Sequence, residues 1–169
     1  MFNLRAINVD IPNETAWVEA GATLGELYYT IDNQSNVHGF PGGVFPTVGT
    51  GGHISGGGYG NLMRKFGLST DNILDAQIVN VKGKTLNRQQ VGEDLFCAIR
   101  GGGGGGGGGG SFGVILSWKI KLVPVPSTVT VFKVNRTIEE GATDVVLQWQ
   151  EVIEKLDENL FIRREGGRE

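Results

Sequence analysis

The stretch GVFPTVGTGGHISGGGYG, residues 43–60, decides how this chain is interpreted, because eight of its eighteen residues are glycine. Each glycine costs roughly 0.5–1 kcal/mol relative to alanine in ordered backbone. A folded chain that accepts this cost repeatedly needs positive φ angles, or needs its main chain to contact another group closely. The stretch therefore predicts either a tightly turning loop in the core or a surface on which bare backbone touches a ligand.

Two well-known nucleotide-binding motifs fail here. Gly49-Thr50-Gly51 begins a G-x-G-x-x-G pattern, but Ile54 stands where the third glycine belongs. Gly83-Lys84-Thr85 ends a P-loop pattern, but Ile78 stands at its first glycine. A looser physical interpretation remains, in which successive N–H groups of residues 47–58 form an anion-binding nest. Such a nest holds a pyrophosphate through the main chain, without a lysine.

Composition limits the classes of function. The chain has 169 residues, about one domain, and a formal charge of -3, which disfavours nucleic acid as a partner. It lacks a continuous apolar run of about 18 residues, so we expect no membrane span. Cys97 is the only cysteine, so an internal disulfide is impossible. His38 and His53, the only histidines, are too few and too far apart in sequence to predict a metal site.

The remaining pattern predicts an α+β fold. Residues 4–9 alternate apolar and polar, and together with TAWVEA, residues 15–20, they predict a β-hairpin. Thr23 and Glu26 fit a capping box, so a helix is expected to run from there to about Ile31. Further strands are predicted within 74–86, 111–126 and 128–137, and helices or helical turns within 60–67, 92–101 and 139–161. Strands and helices follow no regular βαβ rhythm, which is the α+β pattern.

Three single residues or segments carry narrower expectations. Cys97 lies among the apolar residues of a predicted short helix, so we expect it to pack in the interior. Tyr59, after three glycines, is also expected to pack, with an approach to a bound ligand as the alternative. The ten consecutive glycines at 101–110 have no side chains with which to specify a conformation, and part of them is expected to form a flexible loop.

The glycine-rich stretch and its flanks carry a family resemblance. GFPGGVFPTVGTGGHISGGGYGNLMRKFGLSTDNILDAQIVNVKGK closely resembles plant berberine bridge enzyme-like proteins. These are FAD-linked oxidases of the vanillyl-alcohol oxidase superfamily, with a PCMH-type FAD-binding domain. The likeness extends through INVDIPNETAWVEAGATLGELYYTI before it, and through GEDLFCAIRGG and SFGVILSWKIKLVPVP after it, so it covers nearly the whole chain.

The resemblance implies a fold and a set of cofactor contacts. It implies the second subdomain of a PCMH-type FAD-binding domain, a mixed or antiparallel sheet flanked by helices, at 1–123, and the start of a substrate-binding domain at 124–169. Main-chain amides of the glycine-rich stretch are then expected near the pyrophosphate and flavin of FAD. The implied FAD-binding residues are Pro46, Thr47, Gly49, Gly51, Gly52, His53, Gly56, Gly57, Gly58, Asn61, Asp71, Asn72, Gly113 and Val114.

The sequence departs from the family at the covalent anchors. Phe45 occupies a position that is a cysteine bonded to the flavin in many members, and phenylalanine cannot form that bond. The family's anchoring histidine belongs to a preceding subdomain, and His53 lies in a different motif. The resemblance therefore implies non-covalent FAD, if FAD binds. The family's catalytic base and tyrosine would lie beyond Glu169, so catalytic residues in this chain remain unknown.

Two functional hypotheses remain open. In the first, the chain is the FAD-binding portion of an oxidoreductase that transfers a hydride from an alcohol or amine carbon to FAD, and it is inactive alone. In the second, it is a non-enzymatic, truncated remnant that does not bind FAD. Intermediate between the two is an interaction fragment that exposes apolar surface. The resemblance suggests a secreted or cell-wall location, and sequons at Asn13, Asn33 and Asn135 permit one. The N-terminus, however, lacks a hydrophobic signal core.

Overall fold

The computed structural model describes residues 1–102 and 108–165. It divides into two compact units, Met1–Ser127 and Thr128–Glu169. The predicted flexible loop within the glycine run falls mostly on residues 103–107, which lie outside the described residues. The domain boundary expected at 123/124 stays a prediction.

The first unit is built on antiparallel strands, and the α+β prediction is confirmed. Five strands form a sheet in the order β1-β2-β6-β4-β5, and β3 pairs with β7 in a second, two-stranded sheet. The strands are β1 (Ile7–Asp10), β2 (Thr15–Glu19), β3 (His38–Gly39), β4 (Ile73–Val79), β5 (Thr85–Leu86), β6 (Val114–Lys121) and β7 (Val123–Pro124). The helices of this unit are α1 (Leu24–Asp32), α2 (Thr50–Ser55), α3 (Met63–Phe66) and α4 (Arg88–Cys97).

The hairpin and the first helix form as the sequence predicts. Strands β1 and β2 pair antiparallel through the register Ile7↔Val18 to Asp10↔Thr15. At the start of α1, Thr23 and Glu26 form the predicted capping box. The Thr23 side chain accepts from the Glu26 N–H, and the Glu26 carboxylate accepts from the Thr23 N–H at 2.8 Å. These two bonds satisfy backbone donors that a helix start otherwise leaves open.

The core lies between one face of the sheet and the helices. Trp118 and Ile120 of β6, with Ile78 of β4, are fully or almost fully buried against Ile54 of α2 and Phe96 of α4. This core holds α2 against the sheet, and so holds the glycine-rich stretch to which α2 belongs.

An irregularity in the β4–β6 pairing decides which residues of β6 reach the core. The pairing steps from Gln77↔Ser117 to Ile78↔Ile115, so Leu116 is an extra residue in β6. An extra residue reverses which face the following side chains occupy. Ile115 is consequently buried and Val114 is exposed, although simple alternation along β6 predicts that Val114 shares a face with Trp118.

The structure corrects the predictions for two side chains in this unit. Cys97 is exposed, not packed. The neighbouring Phe96 and Ile99 are the residues of this segment that enter the core. The regular helix ends between them, at Cys97. Tyr59 is also exposed, although it directly follows the buried Gly57 and Gly58 with their positive φ angles.

The second unit contains α5 (Ala142–Val152), followed by one 3-10 turn, Ile153–Lys155. The strand predicted at 128–137 is wrong, because among the described residues this segment forms no strand and pairs with none. Alternating β-branched residues give a strand only where a partner supplies the ladder. Without one, Val129, Val131, Phe132 and Val134 remain exposed.

Candidate functional site

The glycine-rich stretch contains a short helix that sequence reasoning missed. Helix α2 forms because its first backbone groups bind carbonyls at the end of β2. The Thr50 N–H donates to Ala22 O at 2.8 Å, and the Gly51 N–H donates to Ala20 O at 3.2 Å. The buried Thr50 hydroxyl also donates to Ala22 O, at 3.0 Å. These tertiary bonds outweigh the poor helix propensity of glycine.

The glycines of the stretch fall into two groups according to what a side chain would meet. A Cβ on Gly51 would lie 2.8 Å from Ala20 O, and one on Gly58 would lie 2.3 Å from the Ser69 side chain. A Cβ on Gly49 or Gly52 would meet nothing within 4 Å. The first two glycines are therefore needed to close the fold, whereas packing does not explain Gly49 and Gly52.

An exposed surface with unengaged main-chain amides surrounds the second group. Residues 44–49 are all exposed, as is Gly52 on α2. Within the described part of the chain, the backbone N–H groups of Phe45, Thr47, Gly49 and Gly52 donate no hydrogen bond. We call residues 44–49 with Gly52 the open glycine surface. It offers several unengaged amide donors, flanked by the exposed apolar side chains of Val44, Phe45 and Val48.

The other residues expected at a cofactor lie behind or beside this surface. Gly57 and Gly58 are buried with φ angles of 100° and 77°, and they turn the chain out of α2. Asp71 and Asn72 are used locally: the Asp71 carboxylate accepts from the Leu68 N–H, and the Asn72 amide donates to Phe66 O and Leu68 O. The structure therefore gives these four residues a supporting position.

Asn61, Gly56 and Val114 are exposed, whereas Gly113 is half-buried. Gly113, with φ of 150°, lies against Val79 O, so it follows the sheet and does not belong to the open glycine surface. Both described ends of the glycine run approach the end of α2. A Cβ on Gly101 would lie 3.3 Å from the Gly57 N atom, and one on Gly109 would lie 3.0 Å from Ser55 Cβ.

His53 faces inward toward the segment that leads into the open glycine surface. Its Nε2 accepts a hydrogen bond from the Gly43 N–H at 3.0 Å, and burial lowers the pKa of its imidazole. Tyr28 of α1 holds the same residue from the other side, since its hydroxyl donates to Gly43 O at 2.7 Å. Neither contact follows from sequence spacing. For example, the sequence does not show which of the adjacent Tyr28 and Tyr29 side chains turns inward.

The surface fits a dinucleotide better than it fits a metal ion. No group of three or more His, Cys, Asp or Glu side chains capable of holding a metal occurs within residues 1–102 and 108–165. Unengaged N–H groups match the acceptor oxygens of a pyrophosphate. The absence of side chains at Gly49 and Gly52 leaves room for a flat ring against the backbone. Within the same described ranges, no helix is long and apolar enough to cross a membrane.

Comparisons with known proteins agree with this geometry. A family model described as FAD binding domain matches residues 1–88. Berberine bridge enzyme-like 7 from Arabidopsis thaliana is 63% identical over 163 residues, which are 96% of this chain and 30% of that protein. The solved structure of BBE-like #28 from Arabidopsis thaliana aligns with a TM-score of 0.84 and 56% identity, over 89% of this chain and 30% of that one.

Berberine bridge enzyme from Eschscholzia californica aligns with a TM-score of 0.86 and 52% identity, over 94% of this chain and 31% of that one. The resemblance inferred from the residues is thus confirmed, as is the α+β, PCMH-type fold that it implies. The chain spans about 30% of the length of the relatives that it matches.

Proposed function

We propose, because the chain belongs to the FAD-binding domain family, that its open glycine surface is one wall of an FAD site in a flavin-dependent oxidoreductase. The observation that carries this proposal is the set of unengaged amide donors at exposed residues, on a surface that lacks side chains at Gly49 and Gly52. Glycines that neither turn the chain nor relieve a clash still carry the conformational cost of glycine. A cofactor pressed against the backbone supplies the compensating interaction.

The proposed contacts divide into direct and supporting residues. Main-chain N–H groups of Phe45, Thr47, Gly49 and Gly52 would donate to the pyrophosphate and flavin, and Pro46 would shape the turn between them. The supporting residues, which hold this surface in place, are Gly51, His53, Gly57, Gly58, Asp71 and Asn72. The residues proposed to reach more distant parts of the cofactor are Gly56, Asn61, Gly113 and Val114.

Attachment of FAD through this chain is proposed to be non-covalent. The Phe45 side chain is 70% exposed beside the open amides, and it has no nucleophilic atom. Cys97, the only thiol, lies at the end of α4 and outside the open glycine surface. Burial, backbone hydrogen bonds and shape would therefore supply the affinity.

FAD, when bound, supplies the acceptor for a hydride removed from an alcohol or amine carbon. The residues of this chain would bind and orient the cofactor. His53 is the only titratable side chain of α2, and its Nε2 already accepts from Gly43. Proton transfer from the substrate would thus need a group outside α2, and we propose that the chain alone has no turnover.

A second, non-enzymatic function is favoured by a separate observation. The segment Val129–Val134 exposes four large apolar side chains, an arrangement that serves association more readily than catalysis. In this alternative, the chain would bind another protein surface and would not bind FAD.

Titration of the purified chain with FAD separates the two functions. Binding is expected to quench flavin fluorescence and to shift the visible flavin spectrum. ADP is expected to compete, because it presents the same pyrophosphate, whereas riboflavin, which lacks phosphate, is expected to compete weakly. The absence of any spectral change at about 50 µM chain would remove the cofactor proposal, and competition by riboflavin alone would remove the role given to the amides.

A further inference from the structure

The main-chain N–H and C=O of Gly43 are each held by a side chain, and the two side chains come from different helices. Its N–H donates to Nε2 of His53 on α2 at 3.0 Å, and its carbonyl oxygen accepts from the hydroxyl of Tyr28 on α1 at 2.7 Å. Two residues earlier, Pro41 O accepts from the buried Ser69 hydroxyl at 2.8 Å. We call the Tyr28–Gly43–His53 arrangement the Gly43 clamp.

The clamp has no spare room. A Cβ on Gly43 would lie 2.9 Å from His53 Cε1, and one on Gly42 would lie 2.5 Å from the Tyr28 hydroxyl. A Cβ on Gly60 would lie 1.8 Å from Gly42 O. The open glycine surface begins at the next residue, Val44. The orientation of the two peptide groups that flank the Gly43 Cα therefore sets the direction in which that surface leaves the core.

The clamp depends on the protonation state of His53. A backbone N–H can only donate, so Nε2 must be unprotonated, and the neutral ring carries its proton on Nδ1. Protonation of Nε2 would place two donors against each other and break the bond. Burial already disfavours the charged imidazole and lowers its pKa below the ordinary value of 6.5.

The surroundings of the clamp do not offset this effect. The titratable group nearest on α1 is Tyr28 itself, whose pKa burial raises to about 12, so it stays neutral near physiological pH. Glu26 of α1 is paired with Arg5, and Asp71, on the 3-10 turn after α3, accepts from the Leu68 N–H. Tyr59, the only titratable side chain on the Gly56–Gly60 turn, is exposed.

We infer that Tyr28 and His53 are positioning residues for the FAD-binding loop, and that protonation of His53 releases this loop and weakens FAD binding in acid. This inference rests on the proposed function. Its structural half, the fixation of Gly43, concerns the chain without FAD and can be tested separately.

Amide hydrogen exchange tests the structural half. In the FAD-free chain at about pH 7.5, the Gly43 N–H is expected to be protected, and His53→Ala is expected to remove most of that protection. His53→Gln retains an acceptor that reaches the position of Nε2 but cannot titrate. Lowering the pH to about 5 is therefore expected to reduce Gly43 protection in the wild type relative to His53→Gln, a comparison in which the intrinsic pH dependence of exchange cancels. Unchanged protection in His53→Ala overturns the clamp.

FAD affinity tests the functional half. Tyr28→Phe and His53→Ala each remove one hydrogen bond and are expected to weaken FAD binding about fivefold at every pH. Wild type is expected to lose affinity between about pH 7 and about pH 5, whereas His53→Gln keeps its affinity over that range. An equal acid loss in His53→Gln overturns the inference, because a merely structural histidine predicts that result.

The two failures are distinguishable. If neither the wild type nor any variant binds FAD, the proposed function and the affinity half of the inference are both overturned. The exchange measurement still decides whether the Gly43 clamp exists. Tyr28→Phe serves as the folding control for His53→Ala, since it deletes one hydroxyl and leaves the aromatic ring in place.

Discussion

Two adjacent glycines of α2 permit a direct test of which glycines serve the fold and which serve the ligand. Gly51 and Gly52 lie in the same helix and differ in what a Cβ would meet. On Gly51 it would lie 2.8 Å from Ala20 O and 3.0 Å from Ala20 Cβ; on Gly52 it would meet nothing within 4 Å. Alanine at these two positions should therefore have opposite effects on stability and different effects on FAD binding.

The magnitudes follow from helix propensity and from steric crowding. Alanine is favoured over glycine inside a helix by about 0.8–1 kcal/mol, so Gly52→Ala is expected to raise the free energy of unfolding by up to that amount. Gly51→Ala gains the same propensity term but must displace backbone at Ala20. Overpacking of this kind costs about 1–3 kcal/mol, so a net loss of stability is expected.

Urea denaturation and FAD titration of both variants complete the test. Gly52→Ala is expected to unfold at higher urea concentration and yet to bind FAD at least about tenfold more weakly, because its methyl group occupies cofactor space and one tenfold step is 1.4 kcal/mol. A stabilised Gly52→Ala variant with unchanged FAD affinity would refute the reasoning. So would a Gly51→Ala variant as stable as the wild type, since the 2.8 Å contact would then carry no cost.

Three further outcomes are expected. Hydrogen bonds from the Thr23 N–H and from Arg5 hold the pKa of Glu26 below its ordinary value of 4.5. The stability that this carboxylate contributes is therefore present above pH 4.5 and is lost as the pH falls through its folded pKa. Acid denaturation should accordingly show a weaker pH dependence in Glu26→Gln than in the wild type. Val131→Lys should reduce self-association seen by sedimentation velocity, because it interrupts an unpaired, apolar β-prone segment. Val81→Lys is the matched control, because Val81 is 97% exposed against 87% for Val131 but lies in a turn. This variant should leave self-association unchanged. Denaturation and filtration should release all bound FAD, and flavin retained on the chain would contradict the role given to Phe45.

Local signals in the sequence predicted the parts of the fold that depend on nearby residues. The capping box at Thr23 and Glu26 is an interaction between residues three apart, and it appears as expected. The β1–β2 hairpin likewise follows from alternation and a short turn. Helix α2 was not predictable in this way, since it depends on carbonyls of Ala20 and Ala22, about thirty residues earlier in the chain.

The strand expected at 128–137 failed for the converse reason. Alternating residues such as Val129 and Val131 indicate that a segment can enter a sheet. Whether a partner strand is available depends on the rest of the fold, which the local sequence does not show. The prediction that Cys97 packs in the interior was wrong because consecutive residues of a helix can face opposite sides. Phe96 beside it is buried, and apolar composition alone does not distinguish the two.

The candidate site illustrates the same limit at the level of single glycines. Sequence resemblance placed Gly49, Gly51, Gly52 and Gly58 together as cofactor contacts, and nothing in their spacing separates them. The structure divides them, since Gly51 and Gly58 face protein atoms within 3 Å of a built Cβ and the other two face open space. Gly43 lies directly before the open glycine surface. Its role could not be predicted from the sequence, because that role depends on hydrogen bonds with the side chains of Tyr28 and His53.

If the proposed FAD site is correct, the division of the glycines also explains how a surface with few polar side chains can bind specifically. Free amides bind acceptors only if their directions are fixed, and glycine is the residue least able to fix them by itself. The chain provides that rigidity from behind, with the Gly43 clamp at one end of the open glycine surface and the bonds of Thr50 to Ala22 at the other. Preorganisation of this kind lowers the entropy cost of binding. A variant that loosens either end while leaving all four amides in place should therefore weaken FAD binding as much as loss of a direct contact, and Thr50→Val, which keeps the shape of the side chain and removes its hydroxyl, is the variant that tests this at the helix end.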